Sequence, residues 1–250
     1  MKVLGSYEKA RIYIDRHYQE SQEAKFHKRK TFPGPIITIS REAGIGAAAI
    51  CEKLIEYFNC YAIEDYNEWV YFDRSLIEKV MEDHHLPDHF RKFLIEEKTH
   101  KADSWIGEML GVTPSKFSLL NKTRYTILKL AELGNVILVG RGANIITANF
   151  KSAFHVRLIA PMNYRIENAM RLYGTSKKNA TQFIIEEDNA RKNYILKYFH
   201  KDISDPLIYH SVINTNLLEF EEIAEIIGHC VIKKFPRFFS VHVNELINEG

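Results

Sequence analysis

The sequence predicts an α/β fold, a parallel sheet covered on both faces by helices. Three observations predict it. Ile36-Ile37-Thr38-Ile39 is β-branched throughout and Val136-Ile137-Leu138-Val139 is apolar throughout, as in strands buried on both sides of a parallel sheet. Each is closed by a glycine turn, Ser40 to Gly46 in the first case and Gly140-Arg141-Gly142 in the second. Stretches with helical spacing separate the strands, such as Ala47 to Phe58 with Ile50, Leu54, Ile55 and Phe58 on one side.

In chain order, residues 1–34 read as an extension, a short amphipathic helix with Tyr7, Ile12, Ile14 and Tyr18, then a basic stretch from Lys25 to Lys30. The Phe32-Pro33-Gly34-Pro35 turn ends it. Residues 35–236 read as the main domain and 237–250 as a tail. A second strand is expected at Val70-Tyr71-Phe72, and helix from Ser75 to His100 with a stop and a new cap near Leu86-Pro87-Asp88. Thr113-Pro114 reads as an N-cap with proline in the first turn of a helix that Gly134 ends after Leu133. Strands follow at Val136–Val139 and Phe154–Ile159. A helix carrying Arg165 and Arg171 is broken at Gly174-Thr175-Ser176, and a long charged helix runs to Phe199. A last strand is expected over Leu207–Ile213 and a closing helix over Phe220–Ile232.

The 250 residues, 46% hydrophobic and 26% charged, suffice for a full core and suit an ordinary globular protein. A formal charge of +2 gives no argument for nucleic acid, which is not an expected partner. Cys51, Cys60 and Cys230 are isolated and lack metal spacing, so they read as reduced thiols. The first residues lack a long apolar core and no run reaches the roughly 18–20 apolar residues of a membrane span. A cytoplasmic protein with no membrane partner is expected.

Ligands of such sheets bind at the carboxyl ends of the strands. Here those ends carry Ser40-Arg41 with the Gly turn, Asp73-Arg74, Gly140-Arg141-Gly142 and Asn214-Thr215. Arginine at three strand ends suits phosphate, because the guanidinium fork meets two phosphate oxygens at once. The bland alternative is that these arginines pair with nearby acids. The Gly turn reads two ways. Gly44-x-Gly46-x-x-Ala49, with Glu64 about 20 residues on, fits a dinucleotide fingerprint. As a phosphate loop aligned on Gly46, it has Arg41 for the first Gly, Ala47 for Lys and Ala48 for Ser/Thr. Backbone N–H groups and the helix N-terminus could still hold an anion there.

Five motifs in order resemble the cytidylate kinase-like family over roughly Ile36 to Lys233. They are Ile37-Thr38-Ile39-Ser40-Arg41-Glu42-x-Gly44-x-Gly46, Phe72-Asp73-Arg74-x-Leu76-Ile77, Val139-Gly140-Arg141-Gly142-Ala143, Val156-x-Leu158-Ile159-Ala160-Pro161 and Val212-Ile213-Asn214-Thr215-Asn216. The resemblance implies a three-layer α/β/α sandwich with a five-stranded parallel sheet, and ATP- and Mg²⁺-dependent phosphoryl transfer to a nucleoside monophosphate, CMP-like before others. It implies an acceptor-binding insertion at about 75–113 and a lid at about 172–200. Gly44 and Gly46 would wrap the donor phosphates, with Ser40 and Arg41 at the start of the loop and Ala47 and Ala48 at its end. Asp73 and Arg74 would face the acceptor, and Arg141 would bind its phosphate. Arg165, Arg171 and Arg191 are lid or lid-base arginines, Asp188 lies one turn before Arg191, and Thr215 lies where the last strand approaches adenine. The family usually reads Gly-Ser-Gly-Gly and then a polar or basic residue, whereas this chain reads Gly44-Ile45-Gly46-Ala47-Ala48-Ala49.

Three functions stay open on sequence. The first is a nucleoside monophosphate kinase. The second is a kinase-shaped module that binds nucleotide or a protein partner without turnover, with residues 1–34 docking a partner, swapping onto a second copy or packing on their own domain. The third, remote, is a dinucleotide-binding oxidoreductase, which has no use for several phosphate-clamping arginines. His84, His85 and His89 read as surface histidines, Trp69 and Trp105 as packing residues, and the basic and aromatic face of Tyr194, Tyr198 and Phe199 as part of the lid.

Overall fold

A computed structural model of the protein describes residues 6–26, 34–61, 68–82 and 114–240. Most of the expected insertion lies outside these residues, as do the expected helix break at 86–88, Glu64, His84, His85, His89, Trp105, Thr113 and residues 241–250 of the tail.

Five parallel strands form one sheet in the order β2-β3-β1-β4-β5. They are β1 (Ile36–Arg41), β2 (Val70–Phe72), β3 (Val136–Val139), β4 (Ala153–Ile159) and β5 (Ser211–Asn214). The helices are α1 (Ser6–Phe26), α2 (Ala47–Cys60), α3 (Arg74–Glu82), α4 (Pro114–Leu133), α5 (Ala143–Ile146), α6 (Met162–Tyr173), α7 (Lys177–Phe199) and α8 (Phe220–Lys234). The central β1 is buried on both faces. Ile37 and Ile39 meet α2 and α8 through Leu54, Phe58, Ile223 and Ile227, and Ile36 joins the opposite layer of α1, α3 and α4. This is the expected three-layer α/β/α sandwich. Because every strand runs the same way, Arg41, Asp73, Gly140 and Asn214 all emerge at one edge.

The strand expected over Leu207–Ile213 is shorter than its sequence suggests. Asp205 Oδ1 accepts from Leu207 N–H, and Pro206–Ile208 form a 3₁₀ turn, so pairing starts only at Ser211. The one-turn α5 after Gly142 was not legible as a helix. Trp69 stacks on Phe58 with ring centroids 4.3 Å apart, inside the core. The N-terminal helix α1 packs on its own chain. Ala10, Tyr13 and Ile14 are fully buried, and the Tyr13 hydroxyl donates to the Gly134 carbonyl. Tyr13→Ala is expected to cost about 3–5 kcal/mol of unfolding free energy in a urea titration. A loss under about 1 kcal/mol would detach α1 from the core.

Buried polar pairs join β1 to β4, Arg157 Nη1 donating to Ser40 Oγ among them. Thr38 Oγ1 lies 2.8 Å from Nδ1 of His155, its β4 neighbour in register. Burial, then the nearby His210 and Lys234, push the His155 imidazole down to about 4 from its ordinary 6.5. The unfolded chain therefore binds this proton below pH 6.5 while the folded chain refuses it until about pH 4. Stability is complete above that window and falls as pH drops through it. Urea titrations across the window should lose up to about 3 kcal/mol, and His155→Gln should flatten the slope. A slope unchanged in the variant would assign the acid sensitivity to other groups.

Candidate functional site

The loop between β1 and α2 is built around two glycines with φ of +83°, Gly44 and Gly46. Only glycine holds this region without strain. A Cβ on Gly44 would also stand 2.6 Å from the Arg165 carbonyl oxygen. Gly46 is the N-cap of α2, with no side chain capping it, so the first turn of α2 presents its N–H groups at the mouth of the loop. Ile45 does not obstruct that mouth. It is 1% exposed and packs into the core against α2 and α8. The methyl groups of Ala47 and Ala48 line the loop cavity of about 310 Å³, beside Asp73.

The hairpin of α6 and α7 holds the loop from behind. Ala43 packs with Ile166, Ala169, Ala180 and Ile184. Asp188 Oδ1 accepts from the Ala43 N–H at 2.7 Å, and Asp188 Oδ2 accepts from Arg165 Nη1 at 2.5 Å. Arg165, 8% exposed, also donates to the carbonyls of Ala160 and Ala43 and faces Glu42 at 3.5 Å. Asn168 Nδ2 donates to the Gly44 carbonyl at 2.6 Å. The family resemblance groups Arg165 and Asp188 with the lid or lid base. In the structure Arg165 is turned to the loop backbone, and both Asp188 oxygens are engaged by protein partners.

Arg41 behaves differently. Its side chain crosses Gly140, where a Cβ would stand 2.2 Å from Nη1. No hydrogen bond or ion pair of its guanidinium occurs among the described residues. Burial, then the charge of Arg191, push its pKa down to about 10, and Asp73 and Glu187 oppose this only weakly. The group remains a cation at neutral pH. Arg191 donates from Nη1 to the Arg41 carbonyl at 3.3 Å and pairs with Glu187 at 2.9 Å. Arg41 and Arg191 line the loop cavity and also a second cavity of about 260 Å³ next to it.

Ser40, Arg74, Arg141, Asn144, Glu187 and Tyr194 also line that second cavity. Arg141 has a φ of +53° between two glycines, a costly conformation for a residue with a Cβ. Its guanidinium lies 5.5 Å from the Tyr194 ring centre and donates to Glu78 Oε1 at 2.5 Å. Arg74 pairs with the same oxygen at 3.1 Å. Burial alone would raise the Glu78 carboxyl, but the bonds and charges of Arg74 and Arg141 outweigh it and hold the group below its ordinary value. Arg171 stands apart. It bonds Asn168 and lines a groove with Tyr164, Asn216, Leu217 and Phe220. Thr215 is fully buried, with Oγ1 3.4 Å from the Ile159 carbonyl, so Asn216 and Leu217 face that groove instead. A Cβ on Gly46 would touch the Phe220 ring at 2.9 Å, so the groove adjoins the end of the loop.

The sequence model of the cytidylate kinase-like family matches residues 36–217, which is more than half of the chain. The protein belongs to the cytidylate kinase-like family. The crystal structure of an uncharacterized protein from Eubacterium ventriosum superposes with a TM-score of 0.60 at 18% identity, covering 80% of this chain and 98% of that one. That likeness shows a shared fold. A shikimate kinase from Bacteroides thetaiotaomicron reaches a TM-score of 0.41 at 15% identity over 80% of this chain and 96% of its own, too weak a match to bear on fold or chemistry. A uronate isomerase of Corynebacterium glutamicum is 27% identical over 110 residues, 44% of this chain. The match spans about a fifth of that curated relative's length (21%).

Within this family fold, several residues at the site escape motif reading. Asn168 lies three residues after Arg165 and Glu78 four after Arg74, spacings that place each pair on one helix face. Asn144 is two residues beyond the Gly-Arg-Gly turn. Among the described residues no group of three or more His, Cys, Asp or Glu is placed to hold a metal. Asp188→Ala should cost about 1.5–3 kcal/mol, since it strips a charged acceptor from a buried arginine, and should speed hydrogen exchange of the Ala43 amide. An unchanged Ala43 exchange rate would show that the carboxylate does not hold the loop.

Proposed function

We propose that this cytidylate kinase-like protein transfers the γ-phosphoryl group of ATP to a small phosphorylated acceptor, a nucleoside monophosphate such as CMP. One observation carries this reading. Two cavities meet at Arg41 and Arg191, which line both. A phosphoryl group moving from donor to acceptor must cross such a junction, and phosphoryl transfer asks of the protein mainly positioning and charge stabilisation.

In this reading the donor phosphates lie on the N–H groups of Gly44 to Ala48, and the adenine lies in the groove of Arg171, Asn216 and Leu217. The acceptor occupies the second cavity, with its phosphate on Arg141 and Arg74. Arg41 supplies the cation that a standard loop draws from Lys. Asp73 spends one carboxylate oxygen capping α3 through the Leu76 N–H at 2.8 Å and lines the loop cavity beside Ala47. It is the carboxylate that would hold Mg²⁺, which arrives with ATP and neutralises phosphate charge. The loop provides no Ser/Thr hydroxyl for it. Asp188 and Arg165 act as positioning residues, keeping Ala43 and Gly44 in place.

The alanines at 47 and 48 favour a second reading, nucleotide binding without turnover. Turnover of ATP with a panel of nucleoside monophosphates separates the two. The kinase reading expects phosphorylated product, and Arg141→Ala should lower kcat/KM by at least about 10²-fold. An unchanged kcat/KM would remove Arg141 from the acceptor site. If the native protein makes no product while Ala47→Lys with Ala48→Ser does, the second reading holds.

A further inference from the structure

We propose that a second ligand site, for a small phosphate-bearing anion, lies behind the acceptor cavity. It is a cavity of about 740 Å³ between α5, the first residues of β4 and the segment leading into β5. Lys151, Lys201 and Lys234 come to it from three separate parts of the chain, and no Asp or Glu lines it. None of the three lysines forms an ion pair among the described residues.

Two further residues line the same space. Asn144, 7% exposed, lines the cavity, and its Nδ2 has no hydrogen-bond partner among the described residues. A buried amide donor of this kind calls for an acceptor. His210 Nδ1 accepts from the His155 N–H at 2.9 Å, which fixes the neutral ring's proton on Nε2, a second donor. Burial first, and then the charge of Lys234, hold the His210 pKa below its ordinary value. Ammonium groups act as point charges that suit a compact anion with several oxygens. Phe150 and Leu207, the latter 90% exposed, give an organic portion an apolar wall. Asn144 lines this cavity and the acceptor cavity alike, so the two sites share a wall.

The test uses the full chain, with inorganic pyrophosphate as the probe and the His210 ring followed by NMR. The site predicts a saturable shift with Kd at or below about 1 mM. The shift should persist in Arg41→Ala/Arg141→Ala, which removes anion binding at the strand ends. It should weaken at least about 10-fold in Lys151→Gln/Lys201→Gln/Lys234→Gln, three exposed positions. Glycerol 3-phosphate serves as a second probe. Tighter binding than pyrophosphate assigns an organic phosphate and weaker binding an inorganic one, and either supports the site. No saturable shift up to about 10 mM, or a shift indifferent to the lysine substitutions, overturns it. So does a shift lost in the double arginine variant, which would place the anion on the phosphate loop. None of these failures touches the kinase reading.

Discussion

The Arg41 guanidinium lies across Gly140 at the junction of two cavities, largely withdrawn from water and paired with no carboxylate among the described residues. A charge in that position is costly unless something of opposite sign meets it. Much of the surrounding structure serves to keep it there. Gly140 gives it room, β1 delivers it to the carboxyl edge of the sheet, and Arg191 on α7 bonds its carbonyl and leaves its side chain free. The neighbouring arginines each have a carboxylate partner inside the protein. Arg165 spends its charge on Asp188 and Glu42, Arg191 is paired with Glu187, and Arg74 and Arg141 share Glu78. Arg41 alone among these five has no carboxylate partner among the described residues, and Arg74 and Arg141 have only one between them.

This arrangement explains how a loop without Lys or Ser/Thr can keep its shape and charge. The anion-binding part of a phosphate loop is mostly backbone, and the backbone here is fully built. Gly44 and Gly46 adopt left-handed conformations, α2 opens without a side-chain cap, and Asp188 and Asn168 bond Ala43 and Gly44 from the outer side. The hydrophobic contact of Ala43 with the α6–α7 hairpin presses lid and loop together. The shape of the loop thus depends on the lid helices, and its charge on the residue that precedes it.

Much of this was legible in the sequence, for reasons that are local. Short runs of β-branched and other apolar residues closed by glycine give buried parallel strands, so the sheet and its ligand edge followed from Ile36–Arg41 and Val136–Gly142. The five motifs gave the family. Contacts between segments distant in sequence were not legible. Nothing in Gly44-Ile45-Gly46 says that Ile45 turns into the core, because that depends on α8 arriving from residues 220–234. The direction of Arg41 depends on Gly140, about a hundred positions away. Arg165 and Arg171 look alike as helix arginines, yet one is buried against the loop and the other lines a groove beyond it. The bonds of Thr215 and Asp188 are likewise tertiary.

The central claim is that Arg41 supplies the positive charge the loop has lost. Calorimetric titration of ATP with Mg²⁺ into the native protein and into Arg41→Met tests it most directly, since Met keeps the bulk over Gly140 and removes the charge. The account predicts micromolar affinity for the native protein and a loss of about 10–100-fold in the variant. Equal affinity in the two proteins, or no binding by the native protein at millimolar ATP, would contradict it.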